Sequence, residues 1–242
     1  MPELYFRHGV MSASKTADLL MRAYNMNVKG KAVLVMKPSV DTRNSQIVSR
    51  VGISRHCDIL ITPRTNLLSL LHVLVEPSLV PTEGGEAVVV DTWVTAELRR
   101  KMSRHSKVRP SAIFVDEVQF LAVEQVEQLR RLSRYVDVFC YGLRTDYRCR
   151  FFPASLRLME LADAIEEISS SCQFCEEKAI VNAKFIDGVI QRDGSDVVDI
   201  GGEDKYMSMC WSCWDLSSAF ANVEAFKTIL TRNQPTGLNF YF

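Results

Sequence analysis

The apolar positions of this chain alternate between two rhythms. Continuous apolar runs within Leu4 to Phe6, Lys31 to Pro38, Ile59 to Ile61, Ser111 to Glu117 and Val136 to Leu143 read as strands buried on both faces. Between them, apolar residues recur at helical spacing. From Lys15 to about Met26, Ala17, Leu19, Leu20 and Ala23 are apolar, with Asp18 and Arg22 polar. Asn66 to Val75, Thr92 to Ser103 and Val123 to Tyr135 read as further helices, and Glu86 to Thr92 as a strand or turn-in segment. Strands alternating with helices predict an α/β fold, a parallel sheet with helices on both faces. After about Glu167 the texture changes to cysteines, glycines and short β-branched runs, which predicts a small antiparallel lobe. Apolar residues at helical spacing return from Leu216 to Leu230, so a final helix and a tail are expected there.

Composition narrows the function classes. Hydrophobic residues make up 47% and charged residues 24% of 242 positions, ordinary for a chain that buries a core. The formal net charge is zero, so no global field recruits nucleic acid or anionic membrane. No apolar run approaches the roughly 18 residues needed to span a bilayer. The N-terminus runs straight into strand-like sequence without a leader pattern, so a cytoplasmic location is expected.

Of seven cysteines, four form two C-x-x-C pairs: Cys172 with Cys175, and Cys210 with Cys213. Two such knuckles complete a tetrahedral four-thiolate zinc site, and a closed site of that kind is structural rather than catalytic.

"GVMSASKT", Gly9 to Thr16, differs at one position from a phosphate-binding P-loop. Gly9, Lys15 and Thr16 are in place, and Ser14 stands where the second glycine belongs. A strand running into a glycine turn that opens a helix aims backbone N–H groups and a positive helix end at one point. Lys15 would neutralise the β/γ-phosphates of a nucleotide and Thr16 would offer its hydroxyl to Mg²⁺. Ser14 keeps its N–H, so the cradle loses no donor. A negative φ at Ser14 is expected, because a Cβ disfavours the left-handed region. The strand ending at Asp116-Glu117 has the form of a metal-managing Walker B strand, and Asp41-Thr42-Arg43 follows another strand at its C-terminal end.

In this order, "GVMSASKT", "DTR" (Asp41 to Arg43), "DEVQF" (Asp116 to Phe120), "IGGEDKY" (Ile200 to Tyr206) and the paired cysteines resemble the zinc-containing thymidine kinase family. The resemblance spans Met1 to about Asp215, and "MPELYFRHG" and "GLRTDYRCRFFPAS" are most similar to its bacterial branch. It implies a P-loop, RecA-like kinase domain over residues 1–166, a zinc-ribbon and lasso lobe over 167–215, and a C-terminal helix and tail over 216–242. It also implies ATP-dependent phosphorylation of thymidine, with Mg²⁺ and structural zinc, usually in a homotetramer. Gly9, Met11, Ser14, Lys15, Thr16, Asp41 and Asp116 would lie around ATP and its metal. Glu117 would be the general base, and Arg43 would steady the transferred group. Phe120, Leu143, Tyr147, Phe152, Val198, Ile200, Gly201, Gly202 and Tyr206 would surround the nucleoside. Two alternatives remain: a relative with impaired catalysis, and a zinc-ribbon binding module. Acids outnumber Lys and Arg between Cys172 and Cys213, which disfavours the module as a nucleic-acid binder.

Overall fold

The computed structural model describes residues 1–39, 46–70, 110–194, 205–220 and 222–232. The expected segments at 71–75, 86–92 and 92–103, and the predicted site residues Asp41, Arg43, Val198, Ile200, Gly201 and Gly202, lie outside them. The chain divides into two compact units, one of residues 1–144 with 151–168 and the other of 145–150 with 169–242.

In the first unit the elements run β1 (Leu4–His8), α1 (Lys15–Val28), β2 (Val33–Pro38), β3 (Gln46–Val48), β4 (Ser54–His56), β5 (Ile59–Ile61), β6 (Ala112–Val115), α2 (Val123–Leu132), β7 (Asp137–Gly142), α3 (Pro153–Leu161) and β8 (Ala164–Glu167). Six strands form one sheet in the order β5-β2-β6-β7-β1-β8, and every pairing in it is parallel. Side chains alternate across a strand, and the two faces carry separate cores. Leu4, Phe6, Leu34, Met36, Ile113, Val115, Val138 and Cys140 pack with Val126, Leu129 and Leu132 of α2 and Ala154 and Leu158 of α3. The alternate positions Val33, Val35, Ala112, Phe114 and Tyr141 pack with Leu19, Leu20 and Ala23 of α1. Both faces are covered, so the central strands read as near-continuous apolar runs rather than alternating ones.

Several elements differ from the sequence reading, among them the edge strand β8, which it did not contain. Strands β3 and β4 form an antiparallel hairpin too short to show a period, turning at Gly52 with φ +83°. Helix α3 starts on Pro153, whose fixed φ suits a first helical position. Of the helix expected from Asn66, the described part is a 3-10 turn, Leu67–Leu70.

The second unit is built on β9 (Val181–Ile186), flanked antiparallel by β10 (Val189–Gln191) and β11 (Tyr206–Met209). Two helices follow, α4 (Trp211–Leu216) and α5 (Val223–Arg232). The single helix expected over 216–230 is therefore corrected. After a 3-10 turn at Ser217–Ala219, Phe220 is extended, and Asn222 Oδ1 accepts the Ala225 N–H at 2.9 Å to start α5 afresh. Phe174, Val181, Ala183, Phe185, Met209, Trp214, Val223 and Phe226 form the core of this unit around the four paired cysteines.

Candidate active site and cysteine cluster

The loop between β1 and α1 is held from both sides. Gly9 donates its N–H to Gly142 O at 3.4 Å, and a Cβ on Gly9 would stand 2.5 Å from Ile168 O, so only glycine fits. The Ala13 N–H donates to Val10 O at 3.2 Å, and the Asp18 N–H donates to Ser14 O at 3.0 Å. One turn thus closes at Ala13 and the helix opens at Lys15. The single residue between them makes the reversal. Ser14 lies at φ +59°, ψ +24°, and the negative φ expected for it is corrected. Its side chain is exposed, so the conformation carries the local Cβ–carbonyl strain, about 1–2 kcal/mol, without a packing clash. Met11 is half-buried within the loop.

Lys15 and Thr16 open α1. Lys15 is buried and donates from Nζ to Val10 O at 2.8 Å. Burial lowers the pKa of its ammonium, opposed by the charges of Glu117 and Asp116. Thr16 Oγ1 donates to Asp116 Oδ2 at 3.0 Å, tying the start of α1 to the end of β6. Asp116 is buried, and its Oδ1 has no hydrogen-bond partner among the described residues. Burial, and then the neighbouring Glu117 charge, push its carboxyl up to about 7, against the Thr16 hydrogen bond. These are the features of a carboxylate whose burial the nearby Lys15 charge does not offset, and a divalent cation would add the missing compensation.

Glu117 leaves β6 in a left-handed conformation, φ +50°, ψ +38°, and begins the 3-10 turn Val118–Phe120. Phe120 meets Phe152 edge-on, with centroids 5.9 Å apart at 81°. Leu143, half-buried, follows β7. The sequence reading missed two neighbours of these groups. Gln119 donates to Glu117, and Arg50, from the β3–β4 turn, donates to Ser12 Oγ in the loop. The Gln119 position was legible within "DEVQF", whereas the hairpin that carries Arg50 has no periodic signature.

In the second unit, Tyr147 is buried and Tyr206 half-buried, and one lysine addresses both. Lys184 Nζ stands 5.4 Å from the Tyr147 ring and 6.0 Å from the Tyr206 ring. Cys172, Cys175, Cys210 and Cys213 bring their sulfurs within 4.8 Å of one another. Cys175 Sγ lies 3.6 Å from both Cys210 Sγ and Cys213 Sγ, close to the sulfur–sulfur edge of a tetrahedron with Zn–S bonds of about 2.3 Å. Burial raises the Cys175 thiol to about 11. Burial also disfavours the Cys210 thiolate, but the Cys213 N–H and the neighbouring thiols outweigh it and lower that group. The residues present fit a metal ion: four soft donors, largely buried, in one cluster.

Comparison with known proteins decides what this arrangement belongs to. The model of the family "Thymidine kinase" matches residues 2–77 and 80–214. The chain belongs to the thymidine kinase family. Among curated relatives of this family member, the thymidine kinase of Enterobacteria phage T4 is 33% identical over 89% of this chain and 96% of its own length. That of Photorhabdus laumondii is 33% identical over 87% and 90%. That of Streptococcus gordonii is 31% identical over 87% and 94%. Among solved structures, the Pif1 helicase of Candida albicans overlaps at a TM-score of 0.32 and 14% identity, covering 69% of this chain and 36% of that one, too low a likeness to bear on the fold. Among the described residues, no helix of this family member is long and apolar enough to cross a membrane.

Proposed function

We propose that the chain transfers the γ-phosphoryl group of ATP to the 5′-hydroxyl of thymidine, giving thymidine monophosphate and ADP. Membership of the family supports this reading. The observation that carries it is the Thr16–Asp116 hydrogen bond, which joins the loop's helix to the acidic strand end beside Lys15.

Gly9, Met11, Ser14 and Lys15 hold the ATP phosphates, with backbone N–H groups and the Lys15 charge directed at them. Thr16 and Asp116, with Asp41, hold Mg²⁺, which supplies charge compensation to the phosphates when bound. Glu117 accepts the hydroxyl proton as that oxygen attacks phosphorus, and Arg43 steadies the transferred group. Phosphoryl transfer needs positioning and electrostatics more than covalent chemistry, and this set supplies both.

Phe120, Leu143, Tyr147, Phe152, Val198, Ile200, Gly201, Gly202 and Tyr206 are the residues assigned to the nucleoside. Zinc on the four cysteines holds the second unit together, a role suited to the reducing cytoplasm in which such thiols persist. Residues 1–166, 167–215 and 216–242 act as kinase domain, zinc and lasso lobe, and C-terminal appendage, in a homotetramer.

The test is a thymidine phosphorylation assay on the wild-type chain and on Glu117→Gln. Turnover is expected in the wild type and should fall about 10²–10⁴-fold in the variant. A wild-type chain that binds thymidine and ATP without turnover would instead favour the catalytically impaired relative.

A further inference from the structure

We propose that Gln119 positions the Glu117 carboxylate, and that position 142 is glycine in order to leave room for it. The inference rests on the reading of Glu117 as the proton acceptor.

Glu117 sits on a left-handed backbone and is half-exposed, so neither its backbone nor its surroundings hold the carboxylate by packing. Gln119 is buried at 3% exposure and both ends of its amide are engaged. Its Oε1 accepts the Leu143 N–H at 3.0 Å, and its Nε2 donates to Glu117 Oε2 at 2.5 Å. The two partners fix the amide's orientation, because the reversed amide would set N–H against N–H and oxygen against carboxylate. Gln119 is thus a strut from the end of β7 to the carboxylate. Oε2 is held, and Oε1 receives the proton. The hydroxyl O–H bond breaks toward Oε1, the oxygen's electron pair forms the new P–O bond, and ADP departs with the old one.

Gly142 supports this from below. Its φ is not among the positive values, so no special backbone conformation demands a glycine there. The demand is for space. A Cβ at 142 would stand 2.4 Å from Gln119 Oε1 and 2.9 Å from Val118 Cγ1. The first contact displaces the strut directly.

Gln119→Leu keeps the volume and removes the donor. In this variant kcat should fall about 10- to 100-fold, the scale of a misplaced reacting group. The KM values for thymidine and ATP should move less than about threefold. On the Glu117→Gln background, the same substitution should cost nothing further, because the strut acts only through that carboxylate. Gly142→Ala, which keeps every group of Gln119 but displaces it, should show the same split and the same non-additivity. Equal losses with and without Glu117, or wild-type kcat in Gln119→Leu, overturn the proposal.

Crystal structures of the wild type and of whichever variant folds give a reading independent of activity. The Glu117 carboxylate should leave its place when the strut is removed, and an unmoved carboxylate overturns the proposal. If Glu117→Gln turns over as fast as wild type, the assignment of the base fails instead, and the crystal structures still decide the strut.

Discussion

Thr16 Oγ1 and Asp116 Oδ2, far apart in sequence, lie 3.0 Å apart. The bond joins the first turn of α1 to the buried residue that follows β6, and both are fixed by the sheet. Strands β1 and β6 are not neighbours: β7 lies between them. The loop and the acidic strand end therefore meet at the C-terminal edge of a parallel sheet, where open α/β folds bind ligands. Asp116 bears the cost of the arrangement, as a buried carboxyl with one oxygen unpartnered among the described residues.

That cost sets a pH dependence. Asp116 is pushed up to about 7 by burial and by Glu117, so the folded chain holds its proton more tightly than the unfolded chain. Between roughly pH 4 and pH 7 the unfolded state ionises first, and the stability due to this group falls as pH rises through that window. Asp116→Asn should remove this slope in chelator-containing buffer, be more stable than wild type at pH 7, and lose phosphorylation. Denaturant unfolding at several pH values checks it. Identical pH profiles in the two proteins would contradict it.

Ser14 carries a different cost. The left-handed backbone at φ +59° is a property of the chain itself, so its strain bears on folding rather than on ATP binding. Ser14→Gly relieves about 1–2 kcal/mol of Cβ strain. The added freedom of the unfolded glycine offsets about 0.5–1 kcal/mol of that gain. The net expectation is a modest rise in stability with ATP affinity unchanged. Thermal unfolding and calorimetric titration with ATP distinguish this from the opposite outcome, an unchanged melting temperature with tighter ATP.

The two-faced sheet was legible because its central strands are near-continuous apolar runs and its helices are apolar on one face only, whereas the edge strand β8, half of it acidic, carried no such signal. The acidic strand end and paired cysteines were legible because their chemistry depends on residue type and spacing. The backbone of Ser14 was not, since residue type gives the steric preference while the two flanking hydrogen bonds impose the turn. Arg50 was hidden by a three-residue pairing, and the break at Phe220 by an apolar spacing that continues across it. The amide of Gln119 was visible as a residue but not as a strut, because its meaning lies in the Leu143 N–H and in the space at Gly142.

The cysteine cluster should bind about one zinc per chain with four sulfur ligands. Cys210→Ser should lower zinc content and reduce the cooperativity of unfolding, and chelation of the wild type should do the same. Metal analysis with X-ray absorption measures it. Four thiols found metal-free, or paired as disulfides, in the freshly purified chain would falsify the assignment.

The C-terminal helix α5 completes the core that the cysteines staple. Phe226 is 2% exposed and packs against Phe174 and Phe220, with centroids 5.2 and 5.3 Å away. The Val223 N–H donates to Gly188 O at 2.7 Å, docking the start of α5 on the turn between β9 and β10. Phe174 stands between Cys172 and Cys175, so α5 presses on the first knuckle through one aromatic contact. Phe226→Ala should therefore destabilise the second unit by about 3–5 kcal/mol, the range for truncating a buried phenylalanine. It should also speed zinc loss to a chelator, because the ring that buttresses the knuckle is gone. Lys227→Ala, on the same helix but outside this core, is the control and should change neither quantity. Chelator-competition kinetics alongside thermal unfolding decide it, and zinc release at the wild-type rate from a destabilised Phe226→Ala would separate α5 from the metal site.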